Sequence, residues 1–211
     1  MTPNRAATMP ERYRLSFTTG GLFLSEAPLV ARQYLLTRDW EQTRAQVRSG
    51  NLLQVRTAAA STRISKELVA RLEELDLDEL ELLIDSNRRD RAYLLWVAAC
   101  RRYTFVRDFA REVLRENYLV LRRQLTSADY EAFVNAKALW HDELDGLALS
   151  TQRKLRQNLF RMLREAELIS DQLVIQSAAL TPQLARLLAR RGVEQLLVFP
   201  ANDQELNRWL Q

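Results

Sequence analysis

The sequence has few of the residues on which most enzyme and metal sites depend. Its 211 residues include one cysteine, Cys100, and one histidine, His141. A single cysteine excludes an intramolecular disulfide, which suits the reducing cytoplasm. Because Cys100 lies among valine and alanine, we expect a buried small apolar residue there. His141 stands in WHDELDG without the i, i+4 partner of a helical metal site, so we expect it at the surface or in a helix cap.

Glycine and proline are also scarce, with five of each. Little of the chain is therefore expected to be linker. The glycine pair Gly20-Gly21 lacks the spacing of phosphate-cradling loops. These absences predict a protein that is not an enzyme and has no cofactor, metal or small-molecule substrate, although scattered acidic residues leave a carboxylate-metal nuclease open.

Long hydrophobic runs are missing as well. The longest, Ala92 to Cys100 (AYLLWVAAC), is about half of the roughly 20 residues that a membrane-spanning helix needs. The first residues, MTPNRAATMPERYR, contain no apolar stretch of the kind found in signal peptides. We therefore expect a cytoplasmic protein without membrane association.

Lysine is rare, whereas arginine is abundant. Of 31 basic residues only Lys66, Lys137 and Lys154 are lysines, so 28 are arginines, and the formal net charge is +4. The planar guanidinium fork suits phosphate and carboxylate, although a GC-rich genome would favour arginine codons as well. The charges form blocks, because residues 73–85 contain seven acids and no base, whereas residues 88–123 contain ten arginines and four acids. This distribution predicts separate acidic and basic faces.

Hydrophobic periodicity and capping residues predict a mainly α-helical protein with a few short strands. We expect an N-terminal helical domain over residues 1–85 and a C-terminal helical domain over residues 86–211. Predicted helices cover 26–37, 40–49, 58–75, 76–85, 88–117, 127–139, 141–147 and 150–165, and two more begin after Thr181 and Asn202. Their predicted caps include Ser25, Asp39, Thr126 and Ser150. Predicted strands are a short strand or hairpin within 12–24 and the runs LVIQ (173–176) and LLVF (196–199).

Residues 39–75 have the parts of a helix-turn-helix, in which the second helix places its N-terminal residues in the major groove of DNA. Leu52 and Leu53 would anchor the turn, which is longer than the usual three or four residues. Polar and basic side chains of the second helix would face outward. Those expected to contact DNA are Arg56, Thr57, Ser61, Thr62, Arg63 and Lys66.

Residues 150–165, STQRKLRQNLFRMLRE, form a second candidate. At about 100° per residue, its leucines and methionine share one side and its basic residues take the other. The following ELIS and LVIQ give the order that a winged helix shows after its recognition helix, so residues 126–200 are predicted to be winged-helix-like. Those expected to contact DNA are Ser150, Thr151, Arg153, Lys154, Gln157, Arg161 and Arg164. A solvated surface without a ligand is the plain alternative for both helices.

Four stretches of the chain resemble the BrxA family, the small component of BREX bacteriophage-exclusion systems in bacteria. They are TTGGLFLSEAPLVA (18–31), DWEQTRAQVRSGNLLQVRT (39–57), FVRDFAREVLRE (105–116) and LSTQRKLRQNLFRMLREAELI (149–169), in the family's order. The resemblance implies a helical cytosolic protein with winged-helix-like parts that binds double-stranded DNA beside larger BREX subunits, including a methyltransferase and ATPases. It supplies no catalytic residues. Family members have also been labelled inner-membrane or NusB-like, the latter after an RNA-binding protein.

We therefore expect a non-enzymatic subunit of a phage-defence complex that binds double-stranded DNA, mainly through arginine–phosphate contacts. Two alternatives stay open. In the first, the protein is an adaptor whose basic helices dock on acidic surfaces of other subunits. In the second it binds RNA, which is less expected because the sequence predicts no exposed aromatic platform for stacking single-stranded bases.

Overall fold

The computed structural model describes residues 12–211, and most of this part of the chain is helical. Its α-helices are α1 (Ala27–Thr37), α2 (Trp40–Ser49), α3 (Ala58–Leu72), α4 (Leu77–Asp85), α5 (Arg88–Arg102), α6 (Thr104–Phe109), α7 (Glu116–Leu119), α8 (Ser127–Ala138), α9 (Asp142–Asp145), α10 (Leu149–Glu165), α11 (Pro182–Ala189) and α12 (Asp203–Leu210). A π-helical turn, Ala110–Arg115, joins α6 to α7, and a 3-10 helix, Val193–Val198, lies between α11 and α12. The prediction of a mainly α-helical protein is confirmed.

Helix α5 lies at the centre of the core. Every residue from Ala92 to Cys100 is 2% exposed or less, and α3, α4 and α10 all contact this helix. The indole N–H of Trp96 donates to the Val198 carbonyl at 3.0 Å, which ties the 3-10 helix to α5. The longest apolar run is thus a buried helix, because a helix that is apolar all round needs neighbours on every side. No helix of residues 12–211 is both long and apolar enough to cross a membrane.

Apolar packing continues across the boundary predicted at residue 85. One cluster of buried apolar residues includes members from both predicted domains. Glu79 on α4 and Arg101 on α5 form a bidentate pair across this boundary, with two N···O distances of 2.7 Å. The division into domains over 1–85 and 86–211 stays a prediction.

Residues 12–23 form an extended strap that lies on the helices. Its residues Tyr13, Phe17 and Leu22 are buried, and no strand pairs with them among the described residues, so the hairpin prediction is wrong. The glycine pair nevertheless has a structural purpose. Gly20 has a φ of 68°, and a Cβ added to Gly21 would lie 2.1 Å from a carboxylate oxygen of Glu165 on α10. The pair therefore lets the strap turn and pass close to α10.

The other two strand predictions also need correction. LVIQ (173–176) contributes no more than isolated antiparallel bridges, Gln124 to Val174 and Ile169 to Ile175. LLVF (196–199) lies in and just after the 3-10 helix Val193–Val198. Short apolar runs fit a buried helical turn as well as a strand, and periodicity alone does not separate the two.

The predicted caps are partly correct. Side chains of Asp39 and Thr126 accept hydrogen bonds from first-turn amides of α2 and α8, as predicted. Ser25 and Ser150 do not cap their helices. Helix α10 begins one residue early, at Leu149, after an alanine that makes no side-chain cap. Ser150 therefore lies inside the first turn.

Candidate nucleic-acid interface

The first candidate surface lies on α3 and the loop before it. The inner side of α3 is fixed by Leu68, Val69 and Leu72, all of them completely buried. On the outer side, Arg56, Thr57, Thr62, Arg63 and Lys66 are exposed. The three basic residues of this set form no ion pair within residues 12–211. Their charges are therefore available to an anion from outside.

Ser61 departs from the expected orientation, because it is only 8% exposed. The prediction that it faces outward is wrong. It lies four residues after Thr57 and three after Ala58, so all three share one helix face, and that face turns toward the end of α2. A groove remains between the two helices, and Arg48 lines it from α2. Arg48 was not predicted as a contact, although a helix-turn-helix over residues 39–75 already places the end of α2 beside the start of α3.

The second candidate surface is carried by α10, whose rotation is fixed by its buried side. Leu155, Leu159, Met162 and Leu163 are at most 1% exposed. Asn158 is also buried, and its side-chain amide donates to the carbonyl of Phe17 in the strap at 2.9 Å. A hydrogen bond is directional, whereas apolar packing is not, so this bond fixes the rotation of α10 about its own axis. The outer face of α10 is therefore defined.

The outer face of α10 contains most of the predicted contacts. Its exposed members are Ser150, Arg153, Lys154, Gln157 and Arg161, whereas Thr151 and Arg164 are half-buried. Arg161 is ion-paired with Glu165, with 2.7 Å between Nε and Oε1. Arg153 and Lys154 form no ion pair within residues 12–211, and the Lys154 ammonium lies 3.4 Å from the Gln157 side-chain oxygen. The expected row of free cations is therefore present only in part.

Helices α3 and α10 are linked through the strap by a buried arginine. The Arg71 side chain on α3 is 1% exposed; its Nη1 donates to the Gly21 carbonyl at 2.6 Å and lies 3.5 Å from the sulfur of Met162 on α10. From the other side, Glu165 of α10 accepts the backbone N–H of Leu22. Arg71 was not identified from the sequence. It positions the two basic helices but adds nothing to their exposed charge.

His141 is buried rather than exposed, so its predicted surface role is wrong. It occupies the N-cap position of α9 without a side-chain capping bond. Its ring stacks on Tyr13 with centroids 3.8 Å apart, and its Nδ1 lies 3.1 Å from Glu143. Burial acts to raise the pKa of Glu143, but hydrogen bonds from the amides of Glu143 and Tyr13 and from His141 outweigh it and lower that pKa. This cluster anchors the start of the strap.

The described residues offer little for metal or nucleophilic chemistry. Cys100 is buried as predicted, and burial raises the pKa of its thiol well above the ordinary value. Residues 12–211 contain no group of three or more histidine, cysteine, aspartate or glutamate side chains placed to hold a metal ion.

Three large apolar side chains are exposed around the connection from α8 to α10. Leu139, Trp140 and Leu149 are 76%, 72% and 68% exposed. The sequence predicted no exposed aromatic platform for stacking bases, and Trp140 is a single exposed ring rather than a platform for several bases. No sequence signal distinguished Trp140 from a core residue, because burial in a loop depends on tertiary packing.

The fold and the two surfaces define a mainly helical protein whose helices α3 and α10 each present exposed basic side chains that form no ion pair within residues 12–211. The sequence profile of the BrxA family matches residues 11–192. The chain belongs to the BrxA family, and the resemblance found in the sequence is confirmed.

Relatives and a solved structure agree with this assignment. The chain is 28% identical over 181 residues to the BREX protein BrxA of Escherichia coli O9:H4 (strain HS), covering 84% of this chain and 85% of the relative. It is 24% identical over 167 residues to the BREX protein BrxA of Paramagnetospirillum magneticum, covering 76% and 80%. The crystal structure of an uncharacterized protein from Magnetospirillum magneticum has a similar fold, with a TM-score of 0.75, 21% identity and coverage of 89% and 97%.

Proposed function

We propose that this protein is a non-enzymatic, DNA-binding component of a BREX phage-defence system. Its arginines and lysines on α3 and α10 neutralise phosphates of double-stranded DNA, and the polar first turns of the two helices approach the bases. Other BREX subunits are its proposed protein partners. The observation that carries the proposal is the outer face of α10, where Arg153 and Lys154 are exposed without ion pairs on a helix of fixed rotation.

The chain order around α10 supports the same proposal. The segment before α8 meets the turn after α10 through the antiparallel bridge from Gln124 to Val174, and a second bridge, from Ile169 to Ile175, lies within that turn. The backbone N–H of Leu125 donates to the carbonyl of Leu173 at 2.9 Å. A helix, a bridge, the helices α8, α9 and α10 and then a bridged turn follow one another. This is the order of a winged helix with the short α9 added between its two main helices, and α10 takes the place of the recognition helix. The turn over residues 168–176 would then be a short wing.

A duplex titration at several salt concentrations tests the proposal. The dissociation constant of a random-sequence duplex should rise steeply with salt, by about 0.9 log units per log unit of salt for each phosphate neutralised. The triple variant Arg153→Glu, Lys154→Glu and Arg161→Glu should lose duplex binding while keeping its helical circular dichroism. Unchanged affinity in this variant would remove α10 from the interface.

A matched triple variant controls for net charge. Arg32, Arg38 and Arg208 are also exposed and lie on α1, at the end of α1 and on α12. Reversing all three to glutamate changes the net charge by the same amount as the α10 variant. It should retain most of the affinity, because contacts decide binding more than total charge does. Equal losses in the two variants would contradict a defined interface.

An adaptor function is the second candidate, and the exposed Leu139, Trp140 and Leu149 favour it. Exposed apolar groups of this kind mark protein contacts more often than phosphate contacts. A pull-down of other BREX subunits that survives nuclease treatment and fails with Trp140→Ala would support it. The same pull-down with intact duplex binding would give the protein both functions.

RNA binding is the third reading, and a competition experiment separates it from DNA binding. Duplex DNA and RNA of the same sequence compete for the labelled complex at one salt concentration. Preference for the DNA duplex is expected, because single-stranded bases need several aromatic rings to stack on. Among the large apolar side chains that are exposed on the described residues, Trp140 is the single aromatic one.

A further inference from the structure

A groove of about 560 Å³ separates the C-terminal end of α2 from the first turn of α3. Arg48, Ser49 and Asn51 line one side, and Thr57, Ala58 and Ser61 line the other. No carboxylate lines it. Its polar lining groups are a guanidinium, hydroxyls and an amide, which is a composition suited to an anion.

Ser61 is the buried polar group of this groove. It is 92% buried, being 8% exposed, and its hydroxyl makes no hydrogen bond within residues 12–211. Neighbouring buried hydroxyls do have partners, because Ser65 donates to the Thr62 carbonyl and Thr43 to the Asp39 carbonyl. The Ser61 side chain lines the groove, and its hydroxyl is not among the side-chain atoms of residues 12–211 that are both inaccessible and unpartnered. The hydroxyl is therefore open to an acceptor that enters the groove.

The start of α3 supplies further donors on the same face. The first amides of a helix have no intrahelical acceptor. In α3 the Thr57 side chain accepts a hydrogen bond from the Ala60 amide at 3.2 Å. The amides of Ala58 and Ala59 have no acceptor within residues 12–211. The first turn of α3 contains no acidic residue. Its partial positive charge is thus free to act on an anion.

The opposite wall does not cancel this charge. The C-terminal carbonyls of α2 carry partial negative charge, but three of them already accept hydrogen bonds. The carbonyls of Gln46, Val47 and Arg48 accept from the amides of Gly50, Leu52 and Asn51. Arg48 itself is exposed and forms no ion pair within residues 12–211, so the groove has one unpaired positive charge and no lining carboxylate.

We propose that this groove binds one phosphate group of the DNA backbone, with Ser61, the first amides of α3 and Arg48 as its donors. The inference rests on the function proposed above and assigns Ser61 to a phosphate rather than to a base edge. A tetrahedral phosphate has acceptor oxygens in several directions, which matches donors arriving from two helices. Arg56, in the loop before α3, and Arg63 on α3 are both exposed and are the sequence neighbours of the groove-lining Thr57 and Thr62. A continuing DNA backbone would have these charges available to it.

Duplex titrations of the full-length variants Ser61→Ala and Arg48→Gln test the site. Ser61→Ala should weaken duplex binding by about tenfold, the usual effect of losing a hydrogen bond to a charged group, and should leave the salt slope unchanged. Arg48→Gln should weaken binding and lower the salt slope by about 0.9. Arg32→Gln, which removes the same charge from a groove between α1 and α4, should lower the slope little. Thermal unfolding by circular dichroism shows that each variant folds.

A second arm uses inorganic phosphate and distinguishes a free anion from a backbone phosphate. Amide NMR signals of Ala58 and Ala59 should shift on adding millimolar phosphate to the wild-type protein, and Ser61→Ala should abolish the shift. With duplex DNA already bound, adding inorganic phosphate should no longer shift these signals, because the backbone phosphate occupies the site.

The outcomes separate the two proposals. If the wild type binds duplex, the α10 triple variant does not, and both groove variants bind normally, the groove proposal is wrong and the proposed function stands. If the wild type binds no duplex, the proposed function fails. A phosphate shift that depends on Ser61 would in that case mark a free-anion site and overturn the assignment to the DNA backbone.

Discussion

Arg161 and Glu165 form an ion pair along one turn of α10, with 2.7 Å between Nε and Oε1. The second oxygen of the same carboxylate accepts the backbone N–H of Leu22 at 2.5 Å. Glu165 therefore holds the strap against α10 and also neutralises one of the predicted DNA contacts. Since an exposed ion pair contributes little to stability, its main effect is on the charge of the outer face.

Replacing Glu165 with glutamine removes this negative charge and keeps an oxygen for the Leu22 amide. We expect duplex binding to tighten by about two- to fivefold at low salt, because the Glu165 carboxylate no longer competes with a DNA phosphate for Arg161. The salt slope should steepen by up to about 0.9 if Arg161 then contacts a phosphate. Fluorescence anisotropy over a range of salt concentrations measures both quantities.

Asp203→Asn is the control for this variant. Asp203 lies on α12 and pairs with Arg115 at 3.4 Å, so the substitution removes the same charge from another part of the molecule. Equal tightening in both variants would mean that net charge, and not the release of Arg161, changes the affinity.

The buried pair of Arg101 and Glu79 predicts a large effect on stability. Arg101→Met keeps an apolar side chain but removes the guanidinium. The completely buried Glu79 carboxylate then depends on its ion pair with Arg191, whose Nη1 lies 3.6 Å away. The free energy of unfolding should fall by about 3–5 kcal/mol, because a buried charge loses its bidentate partner. Urea unfolding of the pure protein measures this change.

Two further variants show whether the Glu79 carboxylate without its Arg101 partner causes the loss of stability. Arg32→Met removes an exposed arginine and should change the free energy of unfolding by less than about 0.5 kcal/mol. Adding Glu79→Gln to Arg101→Met should restore part of the loss, because the amide carries no charge to bury. A double variant less stable than the single one would contradict this explanation.

Glu143 predicts a pH dependence of stability. Because hydrogen bonds lower its pKa in the folded protein in spite of burial, its contribution to stability is complete above the ordinary pKa of a glutamate and is lost as the pH falls through the lowered value. The melting temperature of the wild type should therefore drop more between pH 7 and pH 3 than that of Glu143→Gln. Differential scanning calorimetry measures the two curves.

Glu205 provides a second test of the same relationship. Burial acts to raise its pKa, but hydrogen bonds from the Asn202 amide, Ser177 and Tyr118 lower it. Glu205→Gln should also reduce the fall of the melting temperature between pH 7 and pH 3. Glu205 lies at the far end of the chain from the strap, so the two tests concern separate parts of the protein. Curves for the two glutamine variants that fall as steeply as the wild type would contradict the assignment of these carboxylates.

Local signals in the sequence were sufficient for most of the helices. Asp39 and Thr126 cap α2 and α8 as predicted, because a cap depends on residues within one turn. The inner side of α10 was also predictable, since leucines at helical spacing bury together. The conformation of residues 196–199 was not predictable in this way, because residues of high β-propensity form a strand only where another strand is present to pair with them.

The candidate surface was predictable in composition but not in detail. The exposure of Arg63 and Lys66 follows from the helical period of α3. The burial of Ser61 does not, because it depends on how closely the end of α2 approaches α3. Similarly, the spacing of Arg161 and Glu165 at i, i+4 is visible in the sequence, but the second bond of Glu165 to the strap is not.

The sequence by itself determined the helical class, the family and the presence of two basic amphipathic helices, because each depends on residues close together along the chain. The tertiary structure decided which charges remain free. Arg71 and Arg101 lie inside the protein against partners 50 and 22 residues away, Gly21 and Glu79, while Arg153 and Lys154 stay outside. A charge is paired or free according to what the fold brings within a few ångströms of it, and that proximity is set by packing between distant segments.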